Sequence, residues 1–212
     1  MIKAIIFDLG GVLVDLDLDR CRKAFVEDVG YGRIDELLDA WHQKGFYSDL
    51  EEGKISEDEF RHRIIEGVSG KRTVLPEDVD RAMWALLTGI EPYKVGLLKD
   101  LSHRYDLYLL SNNNGISMVR CRKFFADAGL PMEQVFRKQF LSYQMKMLKP
   151  SPEIYMAVIR SIGLPPGEML FIDDSKSNTD AAAALGMNVL LYSPGTDLNA
   201  AVSRRLEGGE RC

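Results

Sequence analysis

Short apolar runs alternate along this chain with longer segments in which apolar residues recur every three or four positions. The first run, Ala4-Ile5-Ile6-Phe7, stops at Asp8, and four more segments of similar length read as short buried strands: Leu107 to Leu110, Gln139 to Ser142, Met169 to Ile172 and Asn188 to Tyr192. Between them the spacing turns helical. One helix is predicted from Pro92, suited to a first turn, through Val95, Leu97, Leu98 and Leu101. A second follows Pro152 through Ile154, Tyr155, Val158 and Ile159 and stops at Gly163. A third carries Ala181 to Leu185 and ends on Gly186 as a glycine cap. Strands alternating with helices imply βαβ units and an α/β core built on a parallel sheet.

One long stretch breaks the alternation. Residues 17–88 show helical patterns, at Ala24 to Val26, Ile34 to Trp41 and Phe60 to Val68, and no obvious strand. Ser56-Glu57-Asp58-Glu59-Phe60 reads as a capping box, with Ser56 as the N-cap and Glu59 reaching back. The expected organisation is therefore a core of residues 1–16 and 89–212 with a helical cap of residues 17–88 inserted after the first strand.

Composition narrows the partners. The 212 residues suffice for a sizeable core, and a net charge of −5 without a dense Lys/Arg run argues against nucleic acid or an anionic membrane. No run approaches the roughly 18 apolar residues of a membrane span. Cys21, Cys121 and Cys212 are far apart and form no pairing pattern, so free thiols in a reducing, cytoplasmic compartment are expected. A small molecule is the expected partner, with the chain acting as a monomer or homodimer.

The candidate chemistry sits where the apolar runs end. Asp8 follows the first run and precedes Leu9-Gly10-Gly11, and an acid at a strand end is where an α/β sheet places ligands. Its carboxylate can attack phosphorus and form an acyl phosphate that water then splits. Asp173-Asp174 puts two carboxylates at another strand end, a repulsive pair that a hard cation such as Mg²⁺ relieves. The Ser111 hydroxyl and the Asn112 backbone N–H can hold a phosphoryl oxygen, and Lys149, before Pro150, can lower the repulsion between two anions. Asn178, four residues beyond Asp174, can orient one of the acids.

Taken in this order, Asp8, Ser111-Asn112, Lys149-Pro150 and Asp173-Asp174 resemble the four motifs of the haloacid dehalogenase superfamily, from Asp8 to Asn178. The resemblance implies a Rossmann-like sheet with the first strand in the middle and the Asp173-Asp174 strand beside it. It also implies a substrate-selecting cap and hydrolysis of phosphate esters through an aspartyl phosphate. By the same resemblance Asp8, Asp174 and the Gly10 carbonyl are direct Mg²⁺ ligands, with Asp173 acting through water. Phosphatases of the superfamily usually carry a second Asp two residues after the nucleophile, as the acid that protonates the leaving group. Here that position is Gly10, and Asp15 or Asp17 would have to bend back to replace it. Dehalogenases of the superfamily lack that Asp too, but they need no metal, so the Asp173-Asp174 pair favours phosphate. The nearest branch is that of bacterial sugar 1-phosphate phosphatases, which share the Phe-Asp-Leu-Gly start and a cap segment similar to Glu52-Gly53-Lys54-Ile55-Ser56. A small phosphate monoester, a sugar phosphate such as a hexose 1-phosphate, is the expected substrate. A binding or regulatory protein with weak catalysis is the third reading. Trp41, His42, Phe46, Tyr47 and Arg61 are candidate substrate contacts in the cap.

Overall fold

The structure is a computed structural model that describes residues 1–38, 44–70 and 72–208. Five parallel strands form the central sheet: β1 (Ala4–Phe7), β4 (Asp106–Ser111), β5 (Lys138–Leu141), β6 (Met169–Asp173) and β7 (Asn188–Leu191), in the order β5-β4-β1-β6-β7. The first strand is central and β6 is beside it. The chain builds outward from β1 through β4 to β5, then crosses to β6 and β7, so the strand order reverses around β1, where ligands bind beyond the strand ends.

Both faces of the sheet are covered, which is why its strands read as unbroken apolar runs rather than alternating ones. Ile5, Phe7, Leu107, Leu109, Leu170 and Ile172 pack on one side. Ala4, Ile6, Tyr108, Leu110, Met169 and Phe171 pack on the other. On the first side lie α5 (Pro92–Ser102), α6 (Gly115–Asp127), α7 (Met132–Val135) and α11 (Leu198–Gly208), through residues such as Leu98, Phe125, Met132 and Leu198. On the second lie α9 (Pro152–Ile162), through Ile154, Tyr155 and Val158, and α10 (Lys176–Ala184), through Ala182. A single turn, α8 (Ser142–Met145), follows β5. Gly163 (φ 76°) and Gly186 (φ 85°) take the left-handed conformation that ends α9 and the turn after α10, a backbone state that glycine enters without a Cβ penalty.

The long insertion holds α1 (Leu18–Lys23), which runs on as a π-helix over Ala24–Val29, then α2 (Gly45–Glu51), α3 (Glu57–Glu66) and α4 (Pro76–Trp84). Two short strands bracket it, β2 (Asp15–Leu16) and β3 (Leu87–Gly89), paired antiparallel. The absence of strand expected from the sequence is thus corrected at the edges of the insertion. These pieces are too short to show a period-two pattern, and their pairing depends on the insertion returning to its start. The apolar interior of the insertion, including Phe25, Phe60, Ile64 and Val79, is continuous with the α5/α6 side of the sheet. The Trp84 indole N–H fastens it there, donating to the Ile116 carbonyl at 2.8 Å. At α3 only half of the expected capping box forms. Ser56 Oγ accepts the Glu59 N–H at 3.1 Å, while the Glu59 carboxylate turns to Arg63 at 2.7 Å, a charge pair one helical turn away. Among the described residues no helix is long and apolar enough to cross a membrane.

Candidate active site

The site is built on the C-terminal edge of the sheet. The Asp8 backbone N–H donates to the Ile172 carbonyl at 2.9 Å, carrying the β1–β6 ladder one residue past β1 and fixing where the Asp8 side chain leaves the sheet. Asp173 is the last residue of β6 and Asp174 follows it. One carboxylate oxygen from each of Asp8, Asp173 and Asp174 lies within 4.8 Å of the other two.

Lys149 is the counter-charge. Its ammonium, 1 % exposed, lies 2.6 Å from Asp173 Oδ2 and 2.9 Å from Asp8 Oδ1, and it donates to the Leu110 carbonyl at 3.2 Å. The approach to Asp8 is close enough for an ion pair but poorly aligned for a hydrogen bond, and Asp8 Oδ1 is buried without a hydrogen-bond donor among the described residues. Burial pushes the Asp8 carboxyl up to about 7, with Asp173 and Asp174 adding to the rise and Lys149 opposing it. Burial also raises the Asp174 carboxyl, helped by Asp173. On Lys149 burial works against the charge, but Asp173 and Asp8 outweigh it and hold the ammonium above its ordinary range.

Three hard oxygen donors face one ammonium, so the ionised cluster carries uncompensated negative charge. That donor set suits Mg²⁺, which takes one or two carboxylates and completes its shell with water and phosphate oxygens. The local backbone accommodates the crowding. Gly11 has φ 76°, and a Cβ there would collide with the Asp174 carboxylate. Gly10, by contrast, has room for a Cβ, which would stand in van der Waals contact with Leu16 Cδ1 at 3.4 Å.

The remaining residues named from sequence fall into place with differences. Ser111 ends β4, 1 % exposed, with its hydroxyl 3.3 Å from the Asn112 carbonyl. The Asn112 carboxamide has a role that sequence did not suggest. It clasps the Lys149 backbone, accepting its N–H at 2.9 Å and donating to its carbonyl at 3.0 Å. Asn178 Nδ2 donates to Asp173 Oδ1 at 2.9 Å, and the Ser175 N–H reaches the same oxygen at 2.8 Å. Asp173 is fully buried and bonded directly to these groups.

The two acids that could bend back toward Gly10 do not. Asp15 is held 2.7 Å from the buried Lys94 ammonium, and Asp17 caps α1 by accepting the Arg20 N–H at 2.8 Å. Within residues 17–88, Arg61 is committed to Asp80 and Asp58 at 2.8 Å each. Phe46 packs on Phe60, and Tyr47 meets Phe60 edge-on. Trp41, His42 and Cys212 lie outside the described residues. Cys21 and Cys121 are free and buried.

Sequence reasoning passed over Glu51, the last residue of α2 and 5 % exposed. Ser142 Oγ donates to its backbone carbonyl at 2.6 Å while accepting the Asn113 N–H at 2.9 Å, which ties the end of α2 to the loop after β4. Burial, aided by Asp8 and opposed by Lys149, pushes the Glu51 carboxyl up to about 8. The only available signal was one more acid immediately before Glu52-Gly53.

Fold and site together define an α/β protein with an acidic, lysine-countered centre at the reversal point of a parallel sheet. The chain belongs to the haloacid dehalogenase-like hydrolase family, which matches residues 2–186. It is 37 % identical over 198 residues to the D-ribitol-5-phosphate phosphatase of Bacteroides thetaiotaomicron, covering 93 % of this chain and 95 % of that one. Among solved structures it resembles a variant of a haloacid dehalogenase family enzyme from the same organism, in complex with magnesium and inorganic phosphate. That match has a TM-score of 0.90 and 36 % identity, over 95 % of this chain and 99 % of that chain. The L-2-haloacid dehalogenase of Xanthobacter autotrophicus shares the fold, with a TM-score of 0.63 and 23 % identity over 99 % of this chain and 84 % of that one.

Proposed function

We propose that this hydrolase is a Mg²⁺-dependent phosphatase of small sugar or sugar-alcohol phosphates, working through an aspartyl phosphate on Asp8. The carrying observation is the convergence of Asp8, Asp173 and Asp174 within 4.8 Å around Lys149 at the open end of the sheet. The phosphatase relative and the magnesium and phosphate complex support the same reading.

Asp8 attacks phosphorus in line and the bond to the sugar oxygen breaks. Water then cleaves the acyl phosphate and frees Asp8. Lys149 favours the ionised form of Asp8 against its burial and offsets the charge that gathers on the phosphoryl group. Ser111 and the Asn112 backbone N–H hold phosphoryl oxygens at the end of β4. Asp173, held by Lys149, Ser175 and Asn178, keeps the ammonium in register. Mg²⁺ would be held by Asp8, Asp174, the Gly10 carbonyl and, through water, Asp173, and supplies positive charge to the phosphoryl oxygens.

The insertion of residues 17–88 serves as the lid that selects the substrate and excludes water during transfer. The relative's name widens the substrate class beyond hexose 1-phosphates to open-chain pentitol 5-phosphates. Buried free thiols suit a reducing cytoplasm, with the chain acting as monomer or homodimer.

The test is phosphate release from D-ribitol 5-phosphate, glucose 1-phosphate and glucose 6-phosphate, with and without Mg²⁺. Rapid Mg²⁺-dependent turnover of at least one ester, with phosphate trapped covalently on Asp8, is expected. Turnover unaffected by exhaustive chelation would overturn the mechanism, and no turnover of any ester would favour a binding role.

A further inference from the structure

Catalysis by Asp8 leaves a proton unaccounted for. An alkoxide is a poor leaving group, and the second step must take a proton from water. One positioned acid/base serves both steps and contributes typically ~10²–10⁴-fold. Gly10 has no side chain to offer, Asp15 is bound to Lys94, and Asp17 is bound to the first turn of α1.

In-line displacement puts the leaving oxygen on the side of phosphorus opposite Asp8. On the reading above, that side is the one the cap covers. The donor must therefore come from the cap, present a carboxyl or imidazole to the space beyond Asp8, and be free of any partner that would hold its proton.

Glu51 is the acid of that segment best placed to do this: its charge is felt at Asp8 and Lys149, and its carboxyl has no partner among the described residues. It ends α2, and Ser142 pins its carbonyl to the core, so its position is set relative to Asp8 rather than to the cap alone. The Gly53 carbonyl, two residues on, is gripped by the Lys146 ammonium from the same core turn. Gly53 also has no room for a Cβ, which would meet the Tyr143 carbonyl. The carboxyl of Glu51 is nearly buried yet makes no hydrogen bond and no ion pair with any described residue. The charged and titratable groups coupled to it are Asp8 at the end of β1, Lys149 beyond α8, and Tyr47 one turn back on α2. Burial and the nearby Asp8 charge both favour the protonated form of the Glu51 carboxyl, while the nearby ammonium is already engaged by Asp173.

We propose that Glu51 is the general acid/base of this enzyme, reaching from the cap to the leaving oxygen in place of the side chain absent at Gly10. In the first step Asp8 Oδ bonds to phosphorus, the phosphorus–oxygen bond to the sugar breaks, and the Glu51 proton goes to the departing oxygen. In the second, Glu51 takes a proton from the water that attacks phosphorus, and the Asp8–phosphorus bond breaks. Phosphate leaves, and both carboxyls return to their starting states. The proposal rests on the phosphatase reading above.

The experiment compares wild type, Glu51→Gln and Asp8→Asn on D-ribitol 5-phosphate and 4-nitrophenyl phosphate between pH 5.5 and 9.5. For wild type, kcat should fall on the alkaline side of the profile, as Glu51 loses its proton. Glu51→Gln should lose ~10²-fold or more on the alkyl ester and lack that alkaline limb. On the aryl ester, whose leaving group needs no proton, it should give one rapid equivalent of nitrophenolate followed by slow turnover. An unchanged alkyl-to-aryl rate ratio with an unchanged pH profile would overturn the assignment. Should Glu51→Gln fail to fold, the wild-type enzyme alone decides. Rates plotted against leaving-group pKa should slope gently at pH 6.5 and steeply at pH 9, and a steep slope at both excludes Glu51. Asp8→Asn separates the two levels of the argument: if it still turns over, the aspartyl-phosphate reading fails first, whereas if it is inactive while Glu51→Gln behaves as wild type, only the assignment of Glu51 fails.

Discussion

Asp173 and Glu51 are both buried carboxyls near Asp8, one at the end of a central strand and one at the end of a cap helix, and the protein treats them oppositely. Asp173 receives Lys149, the Ser175 N–H and Asn178. Glu51 receives no donor on its carboxyl among the described residues. Burial of a charge is tolerated when hydrogen bonds and a counter-charge replace water, and otherwise the group neutralises by taking up a proton. The partnered acid holds geometry, and the unpartnered one holds a proton. In the proposed mechanism the sheet edge supplies a fixed electrostatic frame while the cap supplies the mobile hydrogen.

The contrast is broken most severely at Asp8 itself. Asp8→Asn preserves shape and removes the proposed nucleophile, so phosphate release should drop by on the order of 10⁴-fold or more while the far-UV spectrum stays unchanged. Residual turnover near the wild-type rate would show that the sheet-edge acids only bind.

Next in size is Lys149→Met, which leaves Asp8 and Asp173 facing each other in a dry site. Removing one partner of a buried pair costs about 3–5 kcal/mol, and urea unfolding in chelator should show that loss. Adding Asp173→Asn to the same chain should restore part of it. No recovery would mean that Lys149 stabilises through its stem rather than its charge.

Glu51→Gln sharpens the comparison through pH. The folded-state value of Glu51 lies above its ordinary 4.5, at about 8, so across that window the native state holds a proton that the unfolded chain has released. Stability contributed by the protonated group is therefore lost as pH rises from about 4.5 to about 8. Glutamine keeps the uncharged shape at every pH. The variant should match wild type near pH 4.5 and exceed it at pH 8.5 by on the order of a few kcal/mol, read from urea midpoints. Parallel curves for the two proteins would place the Glu51 charge in water.

The smallest effect is expected at Asn178. Asn178→Ala removes one of several donors to Asp173 and should cost about 1–2 kcal/mol, with turnover reduced modestly because Lys149 and the Ser175 N–H remain. A loss as large as that of Lys149→Met would mean that Asp173 is held by its hydrogen bonds more than by its counter-charge.

Much of this molecule is carried by local signals. The central strands are buried on both faces, so their apolar runs stand out, and the glycines at 163 and 186 mark helix ends because the chain there needs a left-handed residue. Asp8 and the Asp173-Asp174 pair were legible for the same reason: each interrupts or ends an apolar run. What the linear chain could not express is which distant groups satisfy which charges. Lys149 meets Asp173 across 24 positions and Asn112 clasps Lys149 across 37, and neither contact follows from any period or motif. Asp15 and Asp17 lie near Gly10 in sequence but are drawn away by Lys94 and by the α1 amides. Glu51 lies 43 positions from Asp8 and looks like one surface acid among several until the helices of residues 17–88 pack against the core and remove its water. Burial and partnership are properties of the assembled layers, and they decide which carboxyls carry charge and which carry a proton.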